Sequence, residues 1–70
     1  MNILKRKRIL AGMSKSEAAR KTGISVASIS RWEDKGAIPN PSKAKILCDA
    51  YGCEMEEIMN VYITEMENAT

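Results

Sequence analysis

The sequence predicts an all-α domain of five helices, and three observations lead there. The stretch KSEAARKTGISVASISRWED, Lys15 to Asp34, reads as two short helices hinged at Gly23. Around it, cap-forming residues, glycines and a proline punctuate segments whose apolar residues recur at three- and four-residue steps. A chain of 70 residues also stands near the lower end of independent folding. It buries only about 60% of its unfolded surface, and a helical bundle is the economical solution at that size.

Asn2 can cap a first helix running to about Ala11 and ended by Gly12. Ile3, Leu4, Leu10 and Ala11 cluster on one arc that should face the core. Lys7 falls inside that arc, so its stem should pack while the ammonium snorkels to solvent. Ser14 caps the second helix, with Glu17 completing a capping box, and Ala18, Ala19 and Thr22 share one face. Gly23 supplies the stop, because a left-handed residue costs glycine no Cβ clash. Ser25 caps the third helix, which runs to about Asp34 with Ile29 and Trp32 on one side. At ~100° per residue Val26, Ala27, Ser30, Arg31 and Asp34 fall on the other. That second face is small, polar and cationic, and is built to meet something other than a core.

A loop from Glu33 to Pro39 follows, and Asn40-Pro41 is a strong helix start, a cap followed by a residue whose missing N–H is not needed there. The fourth helix should run from Pro41 to Tyr51, burying Ala44, Leu47, Cys48 and Tyr51, with Gly52 as its stop. A fifth starts near Glu54, with Glu56 and Glu57 in the first turn, where the helix dipole favours acids. Met55, Ile58, Met59, Tyr62 and Met66 repeat at helical steps. From Asn60 onward the chain either continues this helix or frays, and the last four residues are expected to be disordered.

The net charge of +2 conceals a segregation. Residues 1 to 45 hold all eleven Lys and Arg against three acids, a balance of +8, and residues 46 to 70 hold six acids and no base, −6. A basic half suits a polyanion, since each neutralised phosphate releases counterions. The acidic half would be held away from it. The chain contains no His, and no Ser or Cys stands in a recognisable nucleophile context, so an enzyme is not expected. Cys48 and Cys53 are too few and wrongly spaced for zinc, and are expected to be reduced and packed or half-buried. No metal, cofactor or small-molecule ligand is implied. No apolar run approaches ~18 residues, and Met1 to Leu4 followed by KRKR is too short for a signal peptide, so a cytoplasmic protein without membrane contact is expected.

Ser14-Lys15-Ser16-Glu17, Ala19, Gly23-Ile24-Ser25, Ile29-Ser30-Arg31-Trp32-Glu33 and Pro39 together resemble the Cro/C1-type helix-turn-helix family of bacterial and phage transcriptional regulators. The resemblance covers about Leu4 to Met59. It implies a five-helix, lambda-repressor-like domain over residues 1–59, with residues 60–70 as a C-terminal extension, either a dimer contact or a disordered end. The chain departs from the family pattern at five places, one of them Lys7, where the family prefers an aliphatic residue. Lys15 stands where the family often has glutamine, Ala18 and Thr22 are smaller than its usual leucines, and Asp34 replaces a frequent asparagine. The resemblance further implies that Arg8 pairs with Glu33, pinning the first helix to the third.

The function so implied is sequence-specific binding of double-stranded DNA by a small regulator with no effector domain attached, the third helix entering the major groove. Base readout is expected from Ser25, Val26, Ala27, Ser30 and Arg31. Phosphate contacts are expected from Ser14, Lys15 and Ser16 at the amino end of the second helix, and from Lys35 and Lys43 beyond the third. Past Met59 the apolar side chains Val61, Tyr62, Ile63 and Met66 have little left to cover. Tyr62, Ile63 and Met66 are the expected contact of a homodimer on a near-palindromic operator. The rival reading is an antitoxin or phage modulator that uses the same domain chiefly to hold a protein partner through the acidic half. A nucleic-acid-processing enzyme is the rival from another class, and would require carboxylates converging on a metal.

Overall fold

The computed structural model describes residues 2–68, without the side chains of residues 65, 66 and 68, and all its regular structure is helical. The elements are α1 (Ile3–Leu10), α2 (Lys15–Thr22), α3 (Val26–Asp34), α4 (Pro41–Tyr51) and α5 (Met55–Asn68). Local chemistry sets their ends. The side chains of Asn2, Ser14, Ser25 and Asn40 each accept a backbone N–H from the first turn of the helix they precede. Each cap contributes about 1 kcal/mol, which matters in a domain this small. Ser14 and Glu17 form the reciprocal capping box. Gly23 and Gly52 close α2 and α4 at φ 76° and 73°, the left-handed region where other residues are strained.

Leu4, Ala18, Ile24, Ile29, Trp32, Leu47, Cys48, Tyr51, Ile58 and Tyr62 form one buried cluster drawn from every helix. α2 packs against α3 and α4, and α5 lies across α1 and α4. Polar contacts reinforce the joints. Asn2 donates from Nδ2 to the carbonyl of Trp32 (3.0 Å), tying the start of α1 to the end of α3. The Lys7 ammonium reaches Glu57 on α5 at 2.7 Å, so its stem does pack and its charge does stay at the surface.

Arg8 and Glu33 meet as a two-pronged pair, Nε to Oε2 at 2.9 Å and Nη2 to Oε1 at 3.0 Å. A third bond runs from Arg8 Nη1 to the Met13 carbonyl (2.8 Å). Both residues are buried, and the bond with Glu33 raises the guanidinium pKa further.

Two expected placements are corrected. Leu10 is 74% exposed. The inward face of α1 centres on Leu4 and Arg8, and Leu10 lies about 120° round from Leu4 at ~100° per residue. Tyr62 is only 4% exposed and belongs to the core. One turn beyond Ile58, it is carried by α5 against the same cluster, because α5 runs unbroken through residues 59 and 60. A homodimer cannot use the Tyr62 ring without unpacking the monomer. Ile63 is 52% exposed, and the Met66 side chain lies outside the described residues. Of the last four residues, Glu67 and Asn68 are helical, and 69–70 also lie outside the description.

Both cysteines are free thiols, Cys48 buried and Cys53 half-buried. Burial, with help from a hydrogen bond with Cys53, pushes the Cys48 thiol from its ordinary 9.0 up to about 12, and burial likewise pushes Tyr51 from 10.0 to about 12. Over that range the native state holds protons that the unfolded chain has released. Stability should therefore be intact below pH 9 and fall as pH rises toward 12, as urea midpoints across that range would report. Alkylation followed by mass spectrometry should label Cys53 first and Cys48 only on unfolding.

Candidate nucleic-acid interface

The exposed face of α3 exists because its opposite face is committed. Ile29 and Trp32 are 1% and 9% exposed and fix the rotation of the helix. Val26, Ala27 and Arg31 are thereby exposed and Ser30 is half-covered. Val26, at 40% exposure, is not a core residue. Ala27, Ser30, Arg31 and Lys35 line one shallow, open depression.

The angle between α2 and α3 is set at the turn between them. Gly23 N–H donates to the Ala19 carbonyl at 2.9 Å. The Thr22 hydroxyl donates to the Ala18 carbonyl (2.7 Å) and accepts from Ile24 N–H (3.2 Å). A leucine at position 22 would give bulk but neither bond, so this chain stitches the turn with a hydroxyl. Ala18, fully buried, leaves room for α2 to pack closely on its neighbours.

The two cap serines are partly occupied. Ser25 Oγ accepts from Ser28 N–H and shares a bond with Ser28 Oγ, both 3.1 Å. Its hydroxyl is committed to the helix start, which limits what it offers a base edge. Ser14 Oγ accepts from Glu17 N–H (3.1 Å), and Ser16 beside it is exposed. Lys35 is exposed at the end of α3, on the rim of the depression. Lys43 is exposed in the first turn of α4, and its backbone N–H is held by the Asn40 cap at 2.9 Å. It does not line the depression.

Lys15 is placed differently from the expectation of a free cation at a helix end. Its ammonium reaches across to α3, donating to Asp34 Oδ2 at 2.7 Å and to Ser30 Oγ at 3.1 Å. Ser30 and Asp34 are one turn apart on one face of α3, so a single ammonium can serve both. The bond from Lys15 lowers the Asp34 pKa below the ordinary carboxylate value. Asp34 was legible as an exposed residue, but its partnership with Lys15 was not. The available signal was the pairing of two departures from the family pattern, a cation where glutamine is usual and an anion where asparagine is.

A helix-turn-helix family model matches residues 4–58 of the chain. Comparison with curated proteins and with solved structures gives no match.

Proposed function

The chain belongs to the Cro/C1-type helix-turn-helix family of DNA-binding regulators, and we propose that it is a small, cytoplasmic, sequence-specific regulator of transcription whose α3 enters the major groove. The observation that carries this reading is the exposed face of α3. Val26 and Ala27 stand in solvent although nothing in folding requires it, with Arg31 beside them. Thymine alone offers a methyl group in the major groove, and small apolar side chains suit it. Arg31 suits guanine N7 and O6. Ser14, Ser16, Lys35 and Lys43 hold the flanking phosphates, joined by Lys15 once its ammonium is released.

Selection of bound duplexes from a random pool tests the proposal. Enrichment of a short motif containing T, and a G·C pair lost in Arg31→Ala at about 1–3 kcal/mol, is the expected result. Recovery of unenriched DNA would reject sequence-specific reading. Exchanging that T for uracil should weaken the wild type but not the Val26→Gly, Ala27→Gly double variant.

The dimer proposal now rests on Ile63, with half-sites about 10–10.5 bp apart. Truncation after Asn60 cannot test it, because that removes Tyr62 from the core. Ile63→Asp should instead leave the fold intact and weaken binding to a two-half-site duplex. A protein that sediments as a monomer both free and on that duplex would reject it. The second reading, a modulator holding a protein partner, is favoured by the same exposed Ile63 on a helix otherwise rich in exposed acids. Co-purification of a partner that is lost in Ile63→Asp would favour it, and the absence of any co-purifying partner would count against it.

A further inference from the structure

We infer that Asp34 is an affinity-limiting residue of the DNA-binding face, its carboxylate holding the Lys15 ammonium in place of a phosphate oxygen. This rests on the DNA-binding reading above and concerns which charges that surface delivers. Lys15 is the first residue of α2, the helix that crosses the backbone in this mode of binding, and its nitrogen carries three donors. Two are already taken, by Asp34 at 2.7 Å and Ser30 at 3.1 Å. The pair is half-exposed, with side-chain exposures of 29% for Lys15 and 45% for Asp34, so it is open to exchange by an incoming anion. Such a pair in water is weakly held, and a phosphate oxygen is an equivalent acceptor.

The consequence lies in the count of charges. With Asp34 bound, Lys15 contributes no net charge and releases no counterion when DNA arrives. If the ammonium moves to a phosphate, Asp34 is left unpaired beside a polyanion at the carboxyl end of α3, where the helix dipole is already negative. Either way the surface loses the value of one cation. Lys5 and Arg8 also act on Asp34, but neither donates a hydrogen bond to it. Removing the carboxylate charge alone should therefore release Lys15 for the backbone. Because a phosphate contact carries no sequence information, the gain should be the same on every sequence.

The experiment measures binding of a selected duplex and of a random-sequence duplex across a salt series. It uses the wild type, Asp34→Asn, Lys15→Ala, and the double variant Lys15→Ala, Asp34→Asn. Asp34→Asn should bind both duplexes about eightfold more tightly near 0.1 M salt, with log K against log[salt] steeper by about 0.9. The double variant should lose that gain. If the wild type binds and Asp34→Asn binds no better, the inference is wrong while the DNA-binding reading stands. If the double variant still binds more tightly than the wild type, Lys15 supplies no charge to the backbone, and the assignment to Lys15 is overturned. A gain confined to one base pair would make Lys15 a base reader and overturn it too. Failure of the wild type to bind any duplex would reject the underlying reading, and is recognisable as such.

Discussion

Glu33→Ala is expected to lower the stability of the domain by about 3–5 kcal/mol. Whole domains are stable by only ~5–15 kcal/mol, so the variant should stand close to unfolding at room temperature. The reason is what remains after truncation. Arg8 is 8% exposed, and two of its three protein hydrogen bonds end on Glu33. Without the carboxylate a guanidinium that cannot shed its proton is left in the core with only the Met13 carbonyl. Its desolvation cost is then unopposed. The intact pair need not stabilise by anything like that amount, since attraction and desolvation nearly cancel in buried pairs. Arg8→Met together with Glu33→Leu should accordingly cost much less than Glu33→Ala alone. Urea unfolding followed by Trp32 fluorescence measures both. A Glu33→Ala loss below about 1 kcal/mol would mean that the pair behaves as an exposed one.

Which parts of this molecule could be read from its sequence follows from how far apart the deciding groups are. Helix ends were legible because a cap serine and its amide, or a glycine and its φ, lie within a few residues. Ser14, Ser25, Asn40, Gly23 and Gly52 all act where expected. The inward faces of α2, α3 and α4 were legible for a related reason, since each has an apolar stripe bounded by polar residues. Leu10 and Tyr62 were misplaced because periodicity gives a stripe but not its edges. Arg8, drawn inward by Glu33, turns α1 so that Leu10 leaves the core, and α5 reaches one turn further across α1 and α4 than the domain boundary suggested. The Arg8–Glu33 pair, 25 residues apart, came from the family resemblance and not from the residues themselves. The Lys15–Asp34 bond spans 19 residues and depends on the angle at Gly23, so neither residue alone announces it. The same bond changes how the basic half of the chain is counted.

Affinity for DNA should fall steeply with salt, but less steeply than a half-chain balance of +8 suggests. Three of the eleven cations are already spoken for in the folded protein. Arg8 is held by Glu33, Lys7 by Glu57 and Lys15 by Asp34. Lys45 lies 3.7 Å from Asp49, both well exposed, too loose a pair to withhold a charge. Near the exposed face of α3, the cations without an ion pair among the described residues are Arg31 and Lys35, with Lys43 further along on α4. Lys5, Arg6, Arg20 and Lys21 lie on α1 and α2 and contribute only where the duplex reaches them. If three to five phosphates are neutralised per domain, log K should fall with log[salt] at roughly −3 to −4.5. The affinity lost between 50 and 200 mM salt would then be roughly 50- to 500-fold. Lys35→Ala should flatten the slope by about one unit and weaken every sequence alike. Lys15→Ala in the wild-type background should weaken every sequence alike, since it leaves the Asp34 carboxylate unpaired beside the polyanion. Anisotropy titrations of a labelled duplex at five or six salt concentrations would measure all three slopes. An affinity indifferent to salt would reject DNA as the partner of this surface, whatever its family.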